Sequence, residues 1–262
     1  MGRVDLSVSD LGRSVDYYTN AIGLSVLSQN GGEVTLGAGS EELLRLVEEP
    51  GARPATGFSG LFHVAMLVPE RDALARWLAH AAREGVQLTG ASDHTVSEAL
   101  YLRDPDRHGI EIYADRPREQ WEGRVGQLMG TAPLDLDGLL RTLPDGDGEF
   151  SGLPNGTRVG HVHLCVADVD ESVGFYRDRL GLDLVAQLGP QAAFLSAGGY
   201  HHHLAVNTWE SRGASAAPEG TARLLNYTFV LPDADSAVVV RERVGGPKPT
   251  DPSGNPLHIT VQ

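Results

Sequence analysis

Hydrophobic and polar positions alternate at the start of the chain, with Val4, Leu6 and Val8 apolar, and again at Val162, Leu164 and Val166. Period-two alternation predicts a strand in each place. An acidic turn follows each strand, and then apolar residues return at helical spacing: Val15, Tyr18 and Ile22 in one place, Val173, Tyr176 and Leu180 in the other. Gly23 and Gly181 sit where a helix C-cap belongs. Short β-rich segments come next, at 33–36 and 42–47, and at 192–196 and 202–207. The order predicted is strand, helix, three strands.

These two stretches are copies. Residues 2–26 (GRVDLSVSDLGRSVDYYTNAIGLSV) align without a gap on residues 160–184 (GHVHLCVADVDESVGFYRDRLGLDL), at a constant offset of 158. A second kind of unit follows each copy: strand 61–68, helix 73–84 and strands 99–103 and 109–113, then strand 224–231, a short helix over 235–244 and strand 257–261. The turns DPDRHG and DPSGNP precede both final strands. Residues 118–157 read as a Pro/Gly/Asp-rich connector with a helical patch at 134–143. Internal repetition on this scale predicts four modules in two halves, 1–117 and 158–262, the last module shortened between Val244 and Lys248.

Composition narrows the partners. A formal net charge of −14 argues against nucleic acid and anionic membrane, which both reward a basic face. Cys165 is the only cysteine, so neither an intramolecular disulfide nor a thiolate zinc cluster can form. Residues 1–8 carry no basic-then-apolar leader, and no apolar run approaches the roughly 18 residues of a membrane span. A cytoplasmic setting is the expectation. No phosphate-binding loop, dinucleotide fingerprint or nucleophile elbow is present, and Gly198-Gly199 reads as a turn before a strand.

The segments FHVAMLVP, DHTVSEALYLRDPD, GIEIYADRP, GHVHLCVADV and FLSAGGYHHHLAVN resemble the vicinal oxygen chelate superfamily, and within it the two-domain catechol 2,3-dioxygenase type. The resemblance covers the chain apart from the connector. It implies an α+β fold of βαβββ modules, two to each cupped mixed sheet, with metal ligands on the first and last strands of a module. First-strand positions here are Arg3, His63, His161 and Asn226; last-strand positions are Leu44, Glu111, His202 or His203, and His258. Two imidazoles and one carboxylate form the facial set that holds a non-haem divalent metal. Only the second and third modules together supply it, as His63, Glu111 and His161. Ligand supply therefore predicts a crossed pairing of second module with third and first with fourth. In the first, Arg3 would set a cation beside the metal, and in the fourth Asn226 replaces a histidine.

The same resemblance implies Fe(II), with Mn(II) as the alternative metal, and extradiol cleavage of a catechol-like aromatic diol by dioxygen. His202, His94 and Tyr101 take the catalytic positions, and His163, His203 and Tyr113 are expected to line the substrate pocket. If the register of the His201, His202, His203 run slips by one residue, His203 is the inward one. Rival readings are a metal-dependent isomerase or epimerase of glyoxalase type and a non-catalytic antibiotic-binding protein. A monomer and a homodimer fit equally well. The turn before Glu111 has Arg107-His108 where the family usually has Gly-Asn.

Overall fold

The computed structural model describes residues 1–144 and 150–261, so residues 145–149 of the connector lie outside it. The first module runs β1 (Val4–Val8), α1 (Leu11–Tyr17), β2 (Ser25–Asn30), β3 (Glu33–Ala38) and β4 (Glu41–Glu48), followed by the two-residue β5 (Arg53–Pro54). The second runs β6 (Gly60–Leu67), α2 (Arg71–Glu84), β7 (Leu88–Asp93), β8 (Ser97–Arg103) and β9 (Gly109–Asp115). The connector forms α3 (Val125–Leu128), β10 (Ala132–Pro133) and α4 (Leu136–Leu140). The third module has β11 (Arg158–Cys165), α5 (Val169–Gly174), β12 (Asp183–Leu188), β13 (Ala192–Ser196) and β14 (Leu204–Asn207). After the short β15 (Thr221–Ala222), the fourth has β16 (Leu224–Leu231), α6 (Ala234–Val244) and β17 (Leu257–Val261). It is strand, helix, strand: its two middle strands are missing, as the short spacing foreshadows.

The repeat is visible in how the helices begin and end. Asp10 caps α1 by accepting from the Arg13 amide, and Asp168 caps α5 by accepting from the Glu171 amide. Each helix loosens into a π-helical turn, Tyr18–Ile22 or Phe175–Leu180. Each turn stops at a glycine with φ near +90°, Gly23 or Gly181, a conformation that a Cβ disfavours.

Strand pairing is crossed. One sheet runs β17-β16-β1-β4-β3-β2 and joins the fourth module to the first; the other runs β10-β7-β8-β9-β6-β11-β14-β13-β12 and joins the second to the third. At both junctions the first strands pair antiparallel, β1 with β16 and β6 with β11. Within each module the first and last strands are parallel. The main apolar core runs between the sheets and their helices, with Trp77, Tyr18, Tyr176 and Tyr227 fully buried. Among the described residues no helix is long and apolar enough to cross a membrane.

Modules within a half stay linked although their sheets differ. The Tyr18 hydroxyl donates to Asp104 of the first DP turn, and the Tyr176 hydroxyl donates to Asp251 of the second. His108, in the departing turn, bonds through Nε2 to the carbonyl of Ser7 at 2.8 Å, while Asn255 at the matching place donates to the carbonyl of Cys165. Ser7 and Cys165 are 158 residues apart, so histidine does the asparagine's job. Arg107 stands where the other turn has Gly254, and both have positive φ, 72° and 84°. A side chain costs free energy there, so Arg107→Gly is expected to stabilise the fold by about 0.5–1 kcal/mol, read as a higher urea midpoint at unchanged slope.

Candidate metal centre

Three adjacent strands of the nine-stranded sheet carry the predicted ligands. Ala65 in β6 lies between Glu111 in β9 and His161 in β11 in the strand register, and its small side chain leaves space between them. His63 sits two residues earlier on β6, on the same face as Ala65, directly opposite His163 of β11. Gly109 lets β9 approach β6: a Cβ there would stand 1.9 Å from the Phe62 carbonyl oxygen. Sheet geometry alone thus gathers residues about 50 and 100 positions apart.

Ligand atoms of His63, Glu111 and His161 all lie within 4.8 Å of one another. The Nε2 atoms of His63 and His161 are 2.9 and 3.2 Å from the same carboxylate oxygen, Oε2 of Glu111. All three side chains are buried. Burial acts to raise the Glu111 carboxyl, but the imidazoles of His161 and His63 outweigh it and hold it well below the usual carboxylate range. Burial pushes His161 down to about 4 against the pull of Glu111, so its ring is neutral near pH 7. His63 Nε2, despite its nearness to Glu111, makes no hydrogen bond of acceptable geometry and is an orphaned buried nitrogen. An anionic carboxylate beside two imidazoles, each with a buried nitrogen that has no hydrogen-bond partner, fits a divalent first-row ion.

These residues floor a cavity of about 480 Å³, in the range of small-molecule sites. Its walls are largely apolar, including Phe62, Ile110, Phe194 and Trp209. Met129, Gly130 and Thr131 from the connector close one side, a contribution not foreseen from the sequence.

His202, His94, Tyr101 and His163 line the same cavity. Tyr101 is the register partner of Glu111 on β8, and its hydroxyl lies 2.7 Å from His94 Nε2. His94 Nδ1 is 2.8 Å from the Gly130 carbonyl, which can only accept, so Nδ1 carries the proton and Nε2 receives the Tyr101 hydroxyl. Burial and the Glu111 charge push the Tyr101 hydroxyl well above its usual range, so it stays protonated. His163 Nε2 receives a hydrogen bond from the Asn207 side-chain amide at 2.9 Å, which holds the ring between Phe62 and Trp209. The His202 ring lies against that of His161, centroids 4.1 Å apart.

Two expected pocket residues are elsewhere. The run from His201 to His203 is a bend before β14, not part of a strand, so its side chains do not alternate across the sheet. His203 turns away: its Nδ1 accepts from the Ala197 amide and pairs with Ser196 Oγ at 3.1 Å. Tyr113 is wholly buried behind the ligands, its ring against His161 and its hydroxyl 2.8 Å from that of Tyr200. Neither reaches the cavity. Asn207 and Asp115 were overlooked, although Asp115 shares the Glu111 face of β9 by period two.

In the other sheet the register puts Arg45, not the expected Leu44, at the place that matches Glu111; Arg45 pairs with Glu33 and Asp5, and Arg3 with Asp5 and Glu42. The carboxylates there are engaged by the guanidinium groups of Arg3 and Arg45, and no imidazole joins them.

Comparison with known proteins gives a consistent family. A Bacillus subtilis (strain 168) protein named catechol-2,3-dioxygenase is 42% identical over 250 residues, covering 93% of this chain and 87% of its own. A solved structure from Bacillus subtilis superposes with TM-score 0.67 at 15% identity, covering 100% of this chain and 85% of that one. Glyoxalase I from Zea mays superposes with TM-score 0.61 at 18% identity, covering 99% and 91%; both structures speak to the fold alone. The profile of the Glyoxalase/Bleomycin resistance protein/Dioxygenase superfamily matches residues 1–112 and 158–238, and the chain belongs to that superfamily.

Proposed function

We propose that this chain is an Fe(II)-dependent extradiol dioxygenase that opens a catechol-like ring beside its two hydroxyl-bearing carbons, with Mn(II) as the alternative metal. One observation supports it most: a buried set of two imidazoles and a carboxylate floors a largely apolar cavity whose lining also includes two further histidines and a hydrogen-bonded Tyr–His pair. The 42% identical relative named catechol-2,3-dioxygenase supports it. His63, His161 and Glu111 would hold the ion. When bound, the ion supplies Lewis acidity and adjacent open positions for the diol and for dioxygen.

The chain's own groups do the rest. Phe62, Phe194 and Trp209 give an aromatic ring flat apolar surfaces and exclude water. Tyr101 can take a proton from the diol's second hydroxyl while passing its own to His94 Nε2, and half-buried His94 connects that pair to the cavity mouth. His202 is held neutral by burial and by its neighbours His161 and His201, so it can accept a proton on the dioxygen side and return it.

The test is oxygen uptake after anaerobic Fe(II) reconstitution, with catechol, 3-methylcatechol and a bicyclic diol as substrates. Wild-type protein is expected to consume oxygen and form a yellow ring-opened product with at least one of them, and His63→Ala to do neither. Metal-loaded protein that consumes no oxygen with any diol would exclude the reading in favour of an isomerase of the same fold.

A further inference from the structure

His202 does not stand alone. Its Nδ1 is 2.8 Å from Nδ1 of His201, whose Nε2 is in turn 2.9 Å from Oδ1 of Asp115 at the end of β9. Asp115 Oδ1 also accepts from the Tyr200 hydroxyl at 3.1 Å. His201 is fully buried, and Asp115 is 23% exposed. A carboxylate can only accept, so His201 must donate from Nε2. A neutral His201 then has its lone pair on Nδ1, and the 2.8 Å contact requires His202 to donate from its own Nδ1. Since Nδ1 of His202 is engaged away from the cavity, its other nitrogen is the one available there.

We propose that Asp115 and His201 are positioning residues that fix the tautomer of His202, keeping its proton on Nδ1 and leaving Nε2 as a bare acceptor for the cavity. The chain Asp115–His201–His202 orders its hydrogen bonds in one direction, as a carboxylate does for an imidazole in a hydrolase triad, but with a second imidazole inserted. It explains why two polar side chains 86 residues apart in sequence meet in an apolar setting, where an unpartnered group is costly. The tautomer does not depend on the reaction; its catalytic consequence rests on the dioxygenase reading.

The chain predicts opposite effects for two conservative changes. In Asp115→Asn the side-chain amide can donate to His201 Nε2, reversing His201 so that its Nδ1–H points at His202; His202 must then carry its proton on Nε2. In His201→Asn the carbonyl oxygen stands near the former Nδ1 and still accepts from His202, whereas His201→Leu leaves no acceptor.

The experiment is a long-range 1H–15N correlation spectrum of full-length protein labelled with 15N-histidine, with His202 assigned by His202→Gln. The expected result is an Nδ1–H pattern for His202 in wild type that changes to Nε2–H in Asp115→Asn. An Nε2–H pattern for His202 in wild type overturns the proposal. Kinetics with Fe(II) give the second readout. Asp115→Asn and His201→Leu should lower kcat by about 10²–10⁴-fold with little change in KM for the diol, and His201→Asn should recover a substantial part. Equal losses in His201→Asn and His201→Leu would also overturn it. If wild type consumes no oxygen at all, the dioxygenase reading fails, while the spectrum still decides the tautomer.

Discussion

Glu111→Gln is expected to strip the protein of its metal and leave the fold standing. The amide keeps the shape of the carboxylate but loses its negative charge, the only formal anion in a buried set with two imidazoles. Losing an outer-shell partner of a metal ligand typically costs about 10–100-fold in affinity. Removing a ligand and its charge together should cost well over about 100-fold. Metal retained per chain after Fe(II) or Mn(II) loading and exhaustive dialysis reads this directly, with near-stoichiometric retention in wild type and almost none in the variant. Circular dichroism should overlay, since Glu111 contributes no apolar contact to the core. Full retention in Glu111→Gln would remove Glu111 from the site.

Acid is expected to weaken the metal-free fold steeply below pH 6.5. Burial, reinforced by neighbouring imidazoles, lowers His163 and His202 well below the ordinary histidine value, and burial brings His203 to about 4. An unfolded chain takes up these protons near pH 6.5, while the folded chain refuses them until about 4 or lower. In between, the unfolded state binds more protons, so stability falls as pH falls, by about 1.4 kcal/mol per group per pH unit. These three groups, together with His161 at about 4, put the loss at several kcal/mol between pH 6.5 and 5, a large share of an ordinary domain's stability. Glu111 does not offset this, because its lowered carboxyl keeps its contribution until pH falls below 4.5. Urea midpoints at pH 7.5, 6.5 and 5.5 test it, and a flat series would mean that these rings are solvated or already charged. His203→Gln, which leaves the cavity untouched, should reduce the slope.

The crossed pairing was legible from chemistry more than from periodicity. His63, Glu111 and His161 can only meet if the second module joins the third, and the sheet containing β9, β6 and β11 has that order. Helix limits were legible because Asp10 and Asp168 cap one end and Gly23 and Gly181 the other. The strands β2, β7 and β12 carried no clear alternation, for a physical reason. β2 and β12 are sheet edges, and β7 is covered only by the two-residue β10, so few of their side chains are buried. The connector's packing against the cavity was equally silent, since it rests on a few residues such as Met129 with no repeat to compare.

Side-chain direction was harder still. A strand over 202–207 would alternate His202 and His203, but the run is a bend and carries no alternation to say which faces inward. What selects His202 is the contact of His201 with Asp115, 86 residues away, which no local pattern contains. Tyr113 lies on the Glu111 face of β9, as alternation says, yet its hydroxyl is drawn to Tyr200 and its ring fills the space behind His161.

One divalent ion is expected to bind where the second and third modules meet. The most direct test is a crystal structure of anaerobically Fe(II)-loaded protein, with anomalous differences collected at the iron edge. One strong peak per chain is expected, within coordination distance of His63, His161 and Glu111. A peak elsewhere, or none at the triad in crystals that retain iron, would contradict it.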